Sequence, residues 1–89
     1  MQSREVTIIN QLGLHARAAA KLVTTASDFD SQIQVSKGDK TVDGKSIMSV
    51  MMLAAAKGSV ITLHADGEDA DAALNALEAL ITRRFDEAS

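Results

Sequence analysis

Apolar residues recur along this chain with two different periods, and these periods divide it into seven elements. Alternating apolar and polar positions, rich in β-branched residues, predict strands over residues 5–10, 32–35, 41–42 and 60–65. Apolar residues spaced by three and four positions predict helices over residues 16–27, 47–53 and 69–85. The resulting order is β-α-β-β-α-β-α.

That order of elements predicts the fold class. The turn sequence between the second and third strands, Lys37-Gly38-Asp39-Lys40, indicates a hairpin. The simplest arrangement of the whole set is an α+β open-faced β-sandwich, in which a four-stranded antiparallel sheet carries three helices on one face. A length of 89 residues suits a single domain over residues 1–89.

Charged residues at the ends of the third predicted helix fit the helix dipole. Acidic residues are expected in its first turn and basic residues in its last turn: Glu68, Asp69, Asp71, Arg83 and Arg84. The acidic group therefore indicates a helix start rather than a pair of catalytic carboxylates. His64, in the middle of the fourth predicted strand, is interpreted as a structural residue.

Composition narrows the classes of function. The chain lacks cysteine, and its two histidines have no metal-ligand spacing, so we expect neither a metal nor a cofactor. A net charge of −3, with nine scattered basic residues, argues against nucleic acid as a partner. No apolar stretch is long enough to span a membrane, and residues 1–5 lack the apolar segment of a signal peptide. We therefore expect a soluble, monomeric, cytoplasmic protein.

One segment is the main candidate for chemistry: Gly13-Leu14-His15-Ala16-Arg17-Ala18-Ala19-Ala20-Lys21. It places His15 at the start of an alanine-rich helix. The first amides of a helix lack internal acceptors, and the helix dipole is positive at that end, so an anion is stabilised there. The same positive end disfavours a charged imidazole, and a neutral His15 is a nucleophile that can accept a phosphoryl group.

Arg17 strengthens this hypothesis because its place in the first helical turn opposes the helix dipole. A guanidinium can bind phosphoryl oxygens through two hydrogen bonds. We expect the phosphoryl group to be held by the Arg17 side chain and by the backbone amides of Ala16, Arg17 and Ala18. The residues alone leave open the alternative that His15 only caps the helix and that Arg17 is a solvated side chain.

The second predicted helix carries two further candidates. Ser46 precedes this helix and is predicted to cap it, and a phosphate on Ser46 would also be tolerated at a helix start beside Lys45. The helix has almost no polar side chains and can bury only one face. An exposed apolar patch is therefore expected, with Ile47 and Met48 outward.

Two motifs in this sequence closely resemble those of the HPr family of phosphocarrier proteins. They are Gly13-Leu14-His15-Ala16-Arg17, followed by Ala19-Ala20-Lys21-Leu22-Val23, and Gly44-Lys45-Ser46-Ile47-Met48. The resemblance covers essentially the whole chain and implies an HPr-like open-faced β-sandwich. It implies phosphorylation of His15 by an enzyme I supplied from phosphoenolpyruvate, and transfer to a IIA-type acceptor. Arg17 matches the family's phosphoryl-stabilising arginine, and Ser46 matches a serine that an ATP-dependent kinase phosphorylates in part of the family.

The resemblance further implies a docking surface and a branch. The apolar patch matches the family surface that docks against phosphoryl donors and acceptors, and with two lysines it comprises Lys21, Lys45, Ile47, Met48, Met51 and Met52. One departure is Ala18, where the family usually has proline. The motifs His15-Ala16-Arg17-Ala18 and Asp43-Gly44-Lys45-Ser46-Ile47-Met48, with the ending Phe85-Asp86-Glu87, are more similar to the nitrogen-related branch, often called NPr, than to the sugar-transport branch.

The predicted function is therefore that of a stoichiometric phosphoryl carrier rather than a free-standing enzyme. Two other classes stay open. One is a regulatory binding module that acts through the methionine patch and Ser46 without moving phosphoryl groups. The other is a small α+β domain that binds a metabolite.

Overall fold

A computed structural model describes residues 1–89 and contains four strands and three helices in the predicted order. The strands are β1 (Gln2–Thr7), β2 (Gln32–Lys37), β3 (Lys40–Asp43) and β4 (Val60–Asp66). The helices are α1 (Ala16–Ser27), α2 (Ile47–Met52) and α3 (Ala70–Thr82), followed by a short turn at Arg84–Asp86. No helix combines the length and the hydropathy needed to cross a membrane.

The four strands form one antiparallel sheet in the order β1-β4-β2-β3. Side chains at alternate positions of β4, namely Ile61, Leu63 and Ala65, are buried, while those between them are not. The buried face joins a core of 22 apolar residues that the helices cover. This arrangement confirms the predicted α+β open-faced β-sandwich.

His64 lies on the face of the sheet opposite the core and connects three strands. Its Nδ1 atom is 2.8 Å from the Ser3 hydroxyl on β1, and its Nε2 atom is 2.8 Å from the Ser36 hydroxyl on β2. Both ring nitrogens therefore have partners within the sheet, in keeping with the structural role inferred from the sequence.

The predicted boundaries of the first strand, residues 5–10, are wrong. The strand begins at Gln2 because β4 extends far enough to pair Gln2 with Ala65. Beyond Thr7, Ile8 stays fully buried, and its backbone bonds with the segment before β4, since its amide donates to the Ser59 carbonyl at 2.8 Å. The hairpin strands are also longer than predicted, because cross-strand pairing continues from Lys37 with Lys40 to Gln34 with Asp43.

The end of the third helix also differs from the prediction, because α3 stops at Thr82 and does not reach residue 85. Arg84, Phe85 and Asp86 have φ angles of 58, 54 and 63°, a left-handed conformation that ends the helix. Arg83 and Arg84 therefore do not lie in its last turn. The reversal lets Phe85 become fully buried in the core. Residues 84–87 are here named the C-terminal turn.

Asp69 has a different role from the one predicted for it. It occupies the N-cap position of α3, but its side chain makes no capping hydrogen bond, and only Asp71 is acidic in the first turn. The Asp69 carboxylate instead accepts from the amides of Asp30 at 2.8 Å and Ser31 at 2.9 Å, and from the Ser31 hydroxyl. It joins the start of α3 to the start of β2.

These bonds predict that Asp69 makes folding stability depend on acidity. The hydrogen bond from the Ser31 hydroxyl, followed by that from the Asp30 amide, lowers the pKa of Asp69 below its ordinary value of 3.8. A carboxylate whose pKa is lowered by folding stabilises the protein above its unfolded-state pKa and loses that contribution as the pH falls through the folded-state pKa. Asp69→Asn should therefore lower the melting temperature at pH 7, and its deficit should narrow below pH 3.8.

Thermal unfolding followed by circular dichroism between pH 7 and pH 2 measures this deficit. The matched control is Asp71→Asn, which removes a carboxylate from the same helix start without touching residues 30 and 31. A deficit for Asp69→Asn that is constant across this pH range would contradict the role given to the carboxylate.

Candidate functional site

The loop that delivers His15 is fixed by Gly13. This glycine has a φ of +67°, and a Cβ atom there would lie 2.5 Å from the Ala55 carbonyl oxygen. The next residue, Leu14, is buried, and its amide donates to the same carbonyl at 2.9 Å. Only glycine allows both the left-handed conformation and this close approach, so Gly13 sets the direction in which the chain enters α1.

His15 is the N-cap residue of α1, as the sequence predicts. Its backbone is extended, its carbonyl accepts from the Ala19 amide at 2.8 Å, and its Nδ1 atom accepts from the Arg17 amide at 3.3 Å. An Nδ1 atom that accepts this bond carries a lone pair rather than a proton. The amides of Ala16 and Ala18 have no acceptor within the protein. The lone pair therefore points toward the positive end of the helix.

The other ring nitrogen faces a carboxylate. His15 Nε2 donates to Glu87 Oε2, and the second oxygen, Oε1, accepts from the Asn10 side-chain amide at 3.0 Å. Burial by itself raises the pKa of Glu87, but the hydrogen bonds from His15 and Asn10, together with the nearby charge of Lys21, outweigh it and lower the pKa below its ordinary value. Glu87 is therefore ionised at neutral pH.

Sequence reasoning missed the functional contacts of Asn10 and Glu87. Glu87 entered it only as part of an acidic ending, and it is 72 positions from His15. The one local signal was Phe85, an apolar residue at the end of the last amphipathic segment. An apolar residue beyond the end of a helix can be buried as an anchor, and a buried Phe85 would predict that residue 87 lies near the core.

The surroundings of the ring form a shallow basin. An open cavity of about 670 Å³ is lined by residues that include Leu12, His15, Arg17, Lys21, Asp86 and Glu87. The His15 side chain is 28% exposed, so the ring is accessible from outside. The Arg17 guanidinium makes no hydrogen bond or ion pair with the rest of the protein. A cation without a protein partner beside an accessible imidazole can bind an anion held there.

The exposed apolar patch lies on α2, which packs against α1. Val50 is buried, whereas the outward residues are 37–71% exposed: Ile47, Met48, Met51 and Met52. The two lysines expected beside the patch are tied to the fold, because Lys45 Nζ donates to the Phe29 carbonyl at 2.7 Å and Lys21 Nζ to the Phe85 carbonyl at 2.6 Å. Their ammonium groups are anchored by these bonds.

Ser46 caps α2, which confirms its predicted structural role. Its hydroxyl oxygen accepts from the Ser49 amide at 3.4 Å. The preceding turn is held by a hydrogen bond from the Lys45 amide to Asp43 Oδ1 at 2.9 Å. The side chain is partly exposed. Phosphorylation of Ser46 stays a prediction.

Comparison with known proteins assigns the family. The family model described as "PTS HPr component phosphorylation site" matches residues 2–83. The chain belongs to the HPr family. HPr proteins are phosphocarriers of the phosphotransferase system, and they interact with enzyme I and with IIA-type partners.

Relatives and solved structures agree with this assignment. The chain is 58% identical over 88 residues to phosphocarrier protein HPr of Pseudomonas aeruginosa, covering 98% of each chain. It is 51% identical over 86 residues to phosphocarrier protein NPr of Shewanella violacea, covering 97% of this chain and 94% of the relative. The crystal structure of HPr-C-His from Thermoanaerobacter tengcongensis superposes with a TM-score of 0.96 at 46% identity, covering all of both chains.

Proposed function

We propose that the phosphoryl group is carried on Nδ1 of His15. The observation that carries this proposal is the orientation of the ring, because Nδ1 accepts from the Arg17 amide while Nε2 donates its proton to Glu87. The Nδ1 lone pair forms the bond to phosphorus as the bond between phosphorus and the donor's leaving atom breaks, and the leaving atom keeps that electron pair. Onward transfer to an acceptor reverses these roles.

The charges on the transferred phosphoryl oxygens are stabilised by backbone amides at the start of α1 and by two cationic side chains. The amides of Ala16, Arg17 and Ala18 lie at the helix end, where the dipole is positive. The Arg17 guanidinium supplies a positive charge that no protein group neutralises, and Lys21 adds a second one at the rim of the basin. Because phosphoryl transfer depends mainly on positioning and charge stabilisation, a shallow surface site is sufficient.

The partners in this proposal are an enzyme I as donor and a IIA-type protein as acceptor, with the α2 patch as docking surface. The protein acts as one cytoplasmic, monomeric domain, in the nitrogen-related rather than the sugar-transport branch. The Shewanella violacea NPr and the motif His15-Ala16-Arg17-Ala18 support that branch. A kinase acting on Ser46 would place a phosphate at the start of α2.

Incubation with phosphoenolpyruvate and enzyme I tests the carrier function. We expect an acid-labile, alkali-stable adduct that mass spectrometry maps to His15. The purified phosphoprotein is then mixed separately with a nitrogen-related IIA protein and a sugar-specific IIA protein, and the two transfer rates are compared. Faster transfer to the nitrogen-related acceptor supports the proposed branch, whereas faster transfer to the sugar-specific protein overturns it. An adduct on any residue other than His15 overturns the proposed site.

The docking role of α2 predicts that Met48→Glu slows phosphoryl transfer from enzyme I about tenfold, because a carboxylate would be buried against the partner's apolar surface. Met48 is 71% exposed, so the melting temperature should hardly change. The control is Val60→Glu, which places the same charge at an exposed apolar position on the sheet. Equal slowing by both variants, or a large fall in the melting temperature of Met48→Glu, would argue against docking at α2.

A further inference from the structure

Glu87 contacts His15 but takes no part in the bonds that form and break in the proposed transfer. Its two carboxylate oxygens bind different residues, His15 on one side and Asn10 on the other. Asn10 is fully buried, and its side-chain amide donates both to the Gly13 carbonyl at 2.8 Å and to Glu87 at 3.0 Å. The residue that orients the loop before His15 and the residue that binds its ring are thus linked through one buried amide.

The C-terminal turn holds this carboxylate from a second direction. Phe85 is fully buried, and the backbone carbonyl of Phe85 accepts from Lys21 Nζ at 2.6 Å. The Glu87 amide also donates to the Arg84 carbonyl at 2.9 Å. A carboxylate anchored through its own backbone, through Asn10 and through a core aromatic two residues away has little freedom to leave the ring.

We infer that Glu87 is a positioning residue that keeps the His15 proton on Nε2 and thereby selects Nδ1 as the phosphoryl-accepting atom. A neutral imidazole carries one proton, and the hydrogen bond made by one nitrogen decides which tautomer is present. An ionised carboxylate accepts but does not donate, so it pairs only with a protonated Nε2. This inference rests on the proposed function of His15 as carrier.

Glu87 also acts after the transfer. When Nδ1 has bonded to phosphorus and Nε2 keeps its proton, the ring carries one positive charge, which the carboxylate stabilises. When the phosphoryl group is transferred to an acceptor, this positively charged ring becomes a neutral imidazole, because it keeps the electron pair of the broken bond between nitrogen and phosphorus. Arg17 and Lys21 on α1 and Asp86 on the C-terminal turn also line the basin, and of these only Asp86 is an anion. Asp86 bonds to Arg83 instead of His15.

The test compares Glu87→Gln with Asp86→Asn, two variants that each neutralise one carboxylate of the C-terminal turn. Nitrogen-15 NMR of the unphosphorylated protein is expected to show Nε2-protonated His15 in the wild type and in Asp86→Asn, and a mixture of tautomers in Glu87→Gln. Phosphoryl transfer should slow about tenfold, as expected for the loss of one charge-assisted hydrogen bond.

An unchanged His15 tautomer in Glu87→Gln would overturn the inference, as would an equal change in Asp86→Asn. Because the tautomer is measured without any phosphoryl donor, it reports on Glu87 even where His15 accepts no phosphoryl group. A failure of the proposed function is seen separately, as a wild-type protein that enzyme I does not phosphorylate.

Discussion

Replacing His15 with alanine is expected to reduce phosphoryl acceptance from enzyme I to background, whereas replacing His64 with alanine leaves it intact. The chain has only these two histidines. His15 has an exposed edge and an Nδ1 lone pair at a helix end, while both nitrogens of His64 bond to serines of the sheet. Incorporation of radioactive phosphate from labelled phosphoenolpyruvate, followed on gels at neutral and acidic pH, measures the difference.

This comparison separates loss of the nucleophile from loss of the fold. Removing an N-cap side chain costs about 0.5–2 kcal/mol, which a folded domain of this size tolerates. Circular dichroism of His15→Ala should therefore show native secondary structure. Phosphate that still enters a folded His15→Ala protein would show that the carrier residue lies elsewhere, and loss of incorporation in His64→Ala would point to the sheet.

Phe85→Ala is expected to lower the free energy of unfolding by about 3–5 kcal/mol, the range found when a buried aromatic side chain is truncated. Phe85 is completely buried, and it is the apolar anchor for a left-handed turn that non-glycine residues adopt only at a cost. Urea unfolding followed by circular dichroism gives the value. Phe85→Leu, which keeps most of the buried volume, should lose less.

Phe29→Ala is the matched control, since Phe29 is the only other aromatic residue and is only partly buried at the edge of the core. It should lose clearly less stability than Phe85→Ala. A loss from Phe85→Ala no greater than that from Phe29→Ala would mean that the C-terminal turn is not a constituent of the core. The Glu87 position would then have no firm support.

The features that the sequence predicted correctly are those encoded over short distances. The limits of α1 followed from apolar spacing and from His15 at its start, and the cap at Ser46 from its position before an apolar run. Arg17 stood out because one residue near a helix end is visible without knowledge of the fold. The ends of the strands were harder to predict, because the extent of β1 depends on the length of β4, which lies more than 50 residues away in the chain.

The features that the sequence did not predict depend on distant residues and on unusual backbone angles. Of the three left-handed residues of the C-terminal turn, Arg84 and Phe85 are of types that rarely adopt a positive φ, and Asp86 alone is only a weak signal of one. The apolar spacing therefore predicted that the third helix continues through these residues. Asp69 was placed correctly at a helix start, yet its partners Asp30 and Ser31 lie 39 and 38 positions away, and no spacing rule connects them.

The link between His15 and Glu87 has a consequence for protein synthesis. Since 72 positions separate the two residues, a ribosome must add that many residues after His15 before the imidazole can acquire its carboxylate partner. A nascent chain that already exposes His15 lacks the group that orients it.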